Sequence, residues 1–449
     1  MKLLSVLRFS LIPLLLHALT IQAALTVTNI AQGCYAGCSL FLKSDGSLWA
    51  MGGNGSGALG DGTLNRTNRP ELIVASGVTA IAVGAGHSLF LKSDGSLWAM
   101  GWNNSGQLGD GTLNNTNRPE QIVASGVTAI SAGGYHSLFL KSDGSLWAMG
   151  LNNAGQLGDG SFNSTNRPEQ IVTNGVTAIS AGYLESLFLI SDGSLWAMGN
   201  NSDGGLGDGT FNNTNRPEQI VAGGVTAIAA GSGDSFFLKT NGSLWAMGLN
   251  YAGGLGDGTF NYTNRPEQIV ASGVTAISAG GWHSLFLKSD GSLWAMGYNS
   301  NGQLGDGTIN NTNRPERIVA SGVTTLAAEK LHSLFLKSDG TLWGMGSNQY
   351  GQLGDGFPSD SSLPEQICPS PQPVLNNAVS SKTNLQLKAT CGTGGKFYLL
   401  GSADLTLPLS QWSRLRTNSV PARVTDNYSV ILTNAINSGG QQFYILQSQ

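Results

Sequence analysis

Two sets of residues in the chain have side chains that could bind a metal ion, and each set recurs at a fixed spacing. Histidine or an acidic residue occupies one position in six successive segments. These residues are His87, His136, Glu185, Asp234, His283 and His332. An aspartate in the motif LGDG recurs every 49 residues. Imidazole and carboxylate groups are common metal ligands, so both sets raise the hypothesis of a metal site.

A metal site is nevertheless the less favoured interpretation of both sets. Each segment supplies one carboxylate, whereas a calcium ion takes about six to eight oxygen ligands. An Asp-Gly pair is typical of a turn, in which the aspartate accepts hydrogen bonds from nearby backbone N–H groups. One histidine per segment is interpreted as a turn residue or as a hydrogen-bond donor to the neighbouring segment. The sequence therefore predicts no metal ion and no cofactor.

No catalytic motif accompanies these residues. The chain has no nucleophile elbow, no HExxH and no phosphate-binding loop, and its recurring serines and aspartates fit turns. The prediction is that the protein is not an enzyme but a binding scaffold. A glycan-active enzyme, with a site assembled from several loops, is the alternative.

The spacing of tryptophan reveals the elements that position these side chains. One tryptophan recurs every 49 residues, at Trp49, Trp98, Trp147, Trp196, Trp245, Trp294 and Trp343. Seven such units without insertions span residues 25–367. Each unit contains four short apolar or β-branched segments between turn signals, for example GVTAISAG, SLFLKSDG, SLWAMG and PEQIV. The predicted fold is all-β, a seven-bladed β-propeller with four strands per blade, and a linear β-solenoid is the alternative.

Three recurring residues are assigned to the architecture of this propeller. The tryptophan is expected to pack between neighbouring sheets. The aspartate of LGDG is expected to hydrogen-bond its own turn. The arginine of TNRPE is expected to tie one blade to the next, or to a carboxylate.

Composition excludes several classes of protein. Charged residues make up 11% of the 449 residues and hydrophobic residues 40%, which excludes intrinsic disorder. The 64 glycines argue against a coiled coil or helical repeats, because a glycine inside a helix costs about 1 kcal/mol. The net charge is −4 and no basic stripe is present, so no nucleic-acid partner is expected.

The first 24 residues have the features of a secretory signal peptide. A basic start precedes an apolar stretch over 11–21 and the small residues Ala23 and Ala24. A membrane anchor is the alternative, but Pro13 and His17 interrupt a stretch shorter than the roughly 20 residues of a membrane span. We expect cleavage near Ala23 or Ala24, which would give a monomeric, secreted or cell-surface protein with no transmembrane segment.

The chain contains four cysteines, an even number that fits disulfide bonds in an exported protein. One pairing joins Cys34 to Cys38 and Cys368 to Cys391. Another joins Cys34 to Cys368 and would clamp the two ends of the repeat array. Zinc is less favoured, because paired CxxC motifs are absent.

The repeat stops after Pro364. Residues 368–377 contain three prolines and predict a stiff linker. Residues 378–449 predict about five strands in a small β-sandwich-like domain. This segment resembles short C-terminal β modules of exported bacterial multidomain proteins, which implies an anchoring or sorting role.

The repeat itself resembles a known family. The order GxxHS, LFLKSDGSLWAMG and GQLGDGT, followed by proline and isoleucine, is similar to the repeat of the regulator of chromosome condensation family. That resemblance implies a seven-bladed propeller. It also implies functions that range from nucleotide exchange on chromatin to inhibition of β-lactamases by exported bacterial members. The signal peptide and the lack of a basic tail argue against a role on chromatin, which leaves an exported binding scaffold.

A binding surface in such an array must break its symmetry, because one partner does not usually match seven identical copies. Loop residues that differ between repeats are therefore the candidate binding residues. They are Tyr35, Trp102, Tyr135, Glu185, Asp234, Tyr251, Trp282, Tyr298, Glu329, Lys330 and Tyr350. Their aromatic members either pack against neighbouring blades or are exposed as contact anchors. The predicted partner is an extracellular protein, and a cell-surface glycan is the alternative.

Overall fold

The chain forms a ring of seven antiparallel sheets, each with four strands. The computed structural model describes residues 26–31 and 37–367, together with six strands between residues 374 and 448. Each sheet contains four strands that are consecutive in sequence and hydrogen-bonded in that order. We number these sheets as blades 1 to 7. The predicted all-β, seven-bladed propeller is confirmed.

The strands of the blades have closely similar lengths. Blades 1 to 3 contain β1 (Val27–Ile30), β2 (Cys38–Lys43), β3 (Leu48–Gly52), β4 (Thr67–Val74), β5 (Val78–Val83), β6 (His87–Lys92), β7 (Leu97–Gly101), β8 (Thr116–Val123), β9 (Val127–Ala132), β10 (His136–Lys141), β11 (Leu146–Gly150) and β12 (Thr165–Val172). Blades 4 to 7 contain β13 (Val176–Ala181), β14 (Glu185–Ile190), β15 (Leu195–Gly199), β16 (Thr214–Val221), β17 (Val225–Ala230), β18 (Asp234–Lys239), β19 (Leu244–Gly248), β20 (Thr263–Val270), β21 (Val274–Ala279), β22 (His283–Lys288), β23 (Leu293–Gly297), β24 (Thr312–Val319), β25 (Val323–Ala328), β26 (His332–Lys337), β27 (Leu342–Gly346) and β28 (Ser361–Ile367).

The first strand of each blade lines a central channel, and the fourth strand is the half-exposed outer edge. Side chains such as Ile130 and Ser180 surround a cavity of about 240 Å³ in this channel. The hydrophobic core lies between successive blades. Leu138 of blade 3, for example, is fully buried in one cluster with Phe188 of blade 4. The core is therefore divided into similar layers, one for each pair of neighbouring blades.

The hairpin between the second and third strands follows the predicted Asp-Gly chemistry. In blade 3, Asp143 Oδ1 accepts hydrogen bonds from the backbone N–H of Ser145 at 2.9 Å and from its hydroxyl at 2.6 Å. Gly144 has a φ of +76°, and a Cβ there would lie 2.8 Å from the backbone nitrogen of Gly175. Glycine is required at this turn both by backbone conformation and by space.

The recurring tryptophan packs between sheets, as predicted. Trp147 is partly buried against the cluster that joins blades 2 and 3, and it stacks on Phe139 with ring centres 6.0 Å apart. Its Nε1–H donates to Ser145 Oγ at 2.9 Å, and Lys141 Nζ lies 4.1 Å from the ring centre. In blade 4, Ile190 stands where the other blades have this lysine.

The two other architectural predictions are also confirmed. Asp110 of LGDG accepts hydrogen bonds from the backbone N–H of Thr112 at 2.8 Å and from Asn103 Nδ2 at 2.9 Å. Arg118 of blade 2 lies against the LGDG turn of blade 1, where a Cβ on Gly62 would be 2.8 Å from its guanidinium. The arginine therefore ties one blade to the next.

Blade 1 departs from the strict period. Val27 pairs with Lys43 in blade 1, as Val78 pairs with Lys92 in blade 2. The lysines are 49 residues apart in sequence, but the valines are 51 apart. The expectation of seven copies without insertions is therefore wrong by two residues, which lie between β1 and β2.

The ring closes without exchanging a strand between its two ends. Blade 7 instead contacts blade 1 as other neighbouring blades contact each other. His332 Nε2 lies 2.8 Å from Ser39 Oγ, and Asn68 Nδ2 donates to the carbonyl of Gly356 at 2.9 Å. Closure therefore uses the repeated contacts between blades.

The cysteine pairing of Cys34 with Cys38 is wrong. Cys38 is a free, buried thiol that packs at the start of β2 with Ala31 and Leu40. Its side chain contributes to the apolar core, and this burial raises its pKa to about 12. Cys34 and Cys368 lie outside the described residues, and the side chain of Cys391 is not described.

The C-terminal region contains two three-stranded antiparallel sheets. Their strands are β29 (Val374–Ser380), β30 (Asn384–Cys391), β31 (Lys396–Ser402), β32 (Ser413–Ser419), β33 (Asp426–Thr433) and β34 (Phe443–Ser448). The sheet orders are β29-β30-β33 and β32-β31-β34. Strand β29 begins within the range predicted for the linker, and the predicted signal peptide lies outside the described residues. Among the described residues, no helix is long and apolar enough to cross a membrane.

Truncation of one repeated tryptophan tests how much the contact between blades stabilises the ring. We expect Trp147→Ala to lower the free energy of unfolding by about 3 kcal/mol, because packing, a hydrogen bond and a cation–π contact are lost together. Urea denaturation followed by circular dichroism measures this loss. Gln170→Ala, on the exposed outer strand, is the control. A loss below about 1 kcal/mol for Trp147→Ala would contradict the assigned role.

Candidate functional site

One face of the ring carries the loops that contain the candidate binding residues. In each antiparallel blade, the loop between the first and second strands lies on the same side as the loop between the third and fourth strands. We call this side the loop face. The tight Asp-Gly hairpins lie on the opposite side.

The first aromatic cluster on the loop face consists of Trp102, Tyr135 and Tyr183, from blades 2, 3 and 4. The rings of Trp102 and Tyr135 are 6.0 Å apart at 71°, and those of Tyr135 and Tyr183 are 5.5 Å apart at 61°. The Tyr183 hydroxyl donates to the Tyr135 hydroxyl at 3.3 Å. All three side chains are partly exposed.

The second aromatic cluster consists of Tyr251, Trp282 and Tyr298, from blades 5 and 6. The ring of Trp282 lies 6.0 Å from that of Tyr251 and 5.5 Å from that of Tyr298, edge-on to both. Tyr251 is 47% exposed, and the other two are partly buried. Edge-to-face contacts of this kind fix the rings and leave part of each surface open to solvent.

Between the two clusters lie three carboxyl groups, those of Glu185, Asp203 and Asp234. Glu185 is buried, and its carboxylate accepts hydrogen bonds from the backbone N–H of Leu184 at 3.0 Å and of Gly233 at 2.9 Å. The second of these bonds joins blade 4 to blade 5. Burial, assisted by the charge of Asp203, raises the pKa of Glu185 to about 7.

Asp234 is buried as deeply as Glu185. It is 1% exposed, and its Oδ1 has no hydrogen-bond partner among the described residues. Burial raises its pKa well above the usual value, and the charges of Glu185 and Asp203 act in the same direction. Burial also raises the pKa of Asp203. Glu185, Asp203 and Asp234 therefore form one acidic sector of the loop face.

The histidines at this repeat position join neighbouring blades, as predicted. His136 Nε2 lies 2.9 Å from Ser186 Oγ of the next blade, and that hydroxyl donates to the carbonyl of Gln156 at 2.7 Å. Because the serine hydrogen is used there, the histidine nitrogen donates. His87, His283 and His332 make the same contact. Burial lowers the pKa of each histidine to about 3, so these rings are neutral.

The remaining predicted residues lie apart from this arrangement. Glu329 is fully buried, and neither carboxylate oxygen has a hydrogen-bond partner among the described residues. Lys330 is partly exposed, and Tyr350 is 51% exposed beside the backbone of Gly53 in blade 1. Tyr35 lies outside the described residues. In the parts of the chain that the structure describes, no group of three His, Cys, Asp or Glu side chains is arranged to hold a metal ion.

The sequence analysis missed Tyr183 and Asp203. A signal for Tyr183 was present, because the equivalent loop positions hold Ala85, Gly134 and Gly281. The candidate residues came instead from the next position in that loop, which holds Leu184 in blade 4. Asp203 differs in the same way from its counterparts in other blades, but only the fold shows that it lies near Glu185.

The fold defines a class of protein, the seven-bladed propeller built from similar repeats. Comparison with protein families identifies the family to which the chain belongs. The RCC1-like domain matches residues 10–270, and the regulator of chromosome condensation (RCC1) repeat matches 274–303, 290–336 and 330–352. The chain therefore belongs to the RCC1-like family, and the resemblance seen in the repeat is confirmed.

Solved structures share this fold at low sequence identity. Prp20p from Saccharomyces cerevisiae is 23% identical with a TM-score of 0.66, over 73% of this chain and 87% of that one. Human WBSCR16 is 23% identical with a TM-score of 0.65, over 74% of this chain and 96% of that one. No curated protein matches the chain significantly.

The raised pKa of Glu185 predicts how the free energy of unfolding changes with pH. Its carboxyl ionises near pH 4.5 in the unfolded chain and near pH 7 in the folded one. This carboxyl group therefore lowers the stability of the wild-type protein as pH rises through the window, and Glu185→Gln lacks that contribution. The unfolding free energy of the variant, relative to wild type, should rise by roughly 3 kcal/mol across the window. Urea denaturation at both ends of the window measures it, and a constant difference would show that Glu185 ionises normally.

Proposed function

We propose that the protein is an exported, non-enzymatic binding scaffold whose loop face binds an extracellular protein partner. The observation that carries this proposal is the pair of aromatic clusters. The two clusters contain residues from five blades. These residues vary between repeats that are otherwise regular. No cofactor is needed for this role.

The physical properties of the clusters fit a contact surface. Partly exposed tryptophan and tyrosine side chains are enriched among the residues that contribute most to protein binding. In both clusters the rings already hold one another in edge-to-face contact. Little side-chain freedom would therefore be lost on binding, which reduces the entropic cost of association.

Relatives in the family support a protein partner. A structure of Prp20p is described together with its binding to Gsp1p and histones, and another shows Kap60 bound to yeast RCC1 (Prp20). A propeller of this family can therefore serve as a platform for other proteins. For the present chain, the predicted signal peptide directs the proposal to an extracellular partner.

The two clusters can be removed with one double variant. We expect Tyr135→Ala combined with Trp282→Ala to abolish capture of the partner from the native exterior, because each cluster loses its central ring. The measurement is a pull-down with the purified mature chain, followed by mass spectrometry. Gln170→Ala is the control, and thermal unfolding should be similar in all three proteins.

Two outcomes would contradict the proposed role. Undiminished capture by the double variant would show that binding occurs elsewhere on the protein. Binding of a defined sugar on a glycan array, with no protein captured, would favour the glycan-binding alternative.

Export can be tested independently of binding. We expect the mature protein to begin at Ala24 or Leu25 and to accumulate outside the cell, because cleavage is predicted after Ala23 or Ala24. N-terminal sequencing of the secreted protein checks this. An intact Met1 on a protein retained inside the cell would overturn the prediction.

A further inference from the structure

A small cavity lies on the loop face between blades 5 and 6. Its lining includes Asp234, Leu249, Tyr251, Gly254 and Trp282, so it joins the buried carboxyl group to the second aromatic cluster. The cavity has a volume of about 10 Å³. A cavity of this size holds one group about as large as a water molecule.

The cavity exists because blade 5 departs twice from the repeat. Blades 2, 3, 6 and 7 have a buried glutamine at the position of Gly254, whose side-chain oxygen accepts a backbone N–H in its own loop, as Gln107 does for Ser105 at 3.0 Å. Gly254 lacks that side chain. A Cβ there would lie 3.7 Å from Asp234 Oδ2, an ordinary contact distance, so the space for a side chain is open. In the same blade, Asp234 replaces the histidine that four other blades carry.

The groups around this space favour a cation. Asp234 supplies a buried carboxyl group, and its Oδ2 is the oxygen that lies towards Gly254. The carbonyl oxygen of Trp282 would lie 3.4 Å from a Cβ on Gly254, so a second acceptor borders the cavity. The aromatic rings of Tyr251 and Trp282 complete the lining, and aromatic rings attract cations. Glu185 and Asp203 are further acidic groups near Asp234.

We propose that this cavity binds a primary ammonium group, supplied by a lysine side chain of the protein partner. This inference rests on the proposed function and adds the chemistry that its loop face recognises. A compact ammonium group matches the size of the cavity, whereas the planar guanidinium of arginine is larger than a single water-sized group. The flexible four-carbon stem of lysine would lie along the exposed ring of Tyr251.

The test uses short peptides and the full mature chain. The probes are acetyl-Gly-Lys-Gly-amide and two analogues, in which arginine or Nε-acetyl-lysine replaces the lysine. Saturation-transfer NMR measures their binding. We expect the lysine peptide to bind, and both analogues to bind about tenfold more weakly or not at all, because the charge or the fit is lost.

Two variants locate the interaction. Gly254→Gln installs the residue that four other blades carry and fills the cavity, and Asp234→Asn removes the carboxyl group that would pair with the ammonium. Each should reduce binding of the lysine peptide about tenfold or more. Gln303→Gly is the matched control, because it opens the equivalent space in blade 6 beside a histidine and should not alter binding of the peptide. Thermal unfolding verifies that each variant is folded.

The outcomes separate this inference from the proposed function. Equal binding of all three peptides, or lysine binding that survives Gly254→Gln and Asp234→Asn, would overturn the inference. If Gly254→Gln still captures a partner that the double aromatic variant loses, the scaffold function stands and the lysine site is wrong. If the lysine peptide binds at the cavity but no partner is captured, the site stands and the proposed function fails.

Discussion

Packing between neighbouring blades is the interaction on which the rest of this structure depends. No blade buries both faces of its own sheet, so each relies on the apolar residues of the next, as Leu138 of blade 3 does on Phe188 of blade 4. The polar contact from histidine to serine to a backbone carbonyl crosses the same boundary, near the loop face. The loops are thereby fixed relative to one another, which allows residues from five blades to form one surface.

The repeat made the fold predictable from sequence, and it also determined what was missed. Trp147, Asp110 and Arg118 each recur in nearly every copy, so their roles in packing could be inferred from residue type and position alone. The two-residue shift of Val27 in blade 1 was invisible to the tryptophan spacing, because it lies before Trp49, the first tryptophan of the series. The free thiol of Cys38 was also missed, since an even number of cysteines carries no information about burial.

The candidate site was predictable only in part, for a physical reason. Variation between copies identified Trp102, Tyr135 and Trp282 as unusual, but not that they form two separate clusters. That grouping depends on which loops of neighbouring blades approach each other. Glu185, Asp234 and Glu329 were also selected by variation, yet the structure buries all three. Variation in a repeat therefore indicates a local difference and does not distinguish a surface contact from a buried group.

Blades 4 and 5 show that this departure from the repeat has a cost in stability. Where histidine is replaced by Glu185 and Asp234, the serines of the next blades, Ser235 and Ser284, have hydroxyl groups without a hydrogen-bond partner among the described residues. A buried polar group left unpaired costs about 1 to 3 kcal/mol. Histidine makes this contact in four blades of the array. Violations of local rules of this kind tend to concentrate at functional sites. The loss of these two contacts beside the second aromatic cluster is a physical reason to place recognition in this sector of the ring.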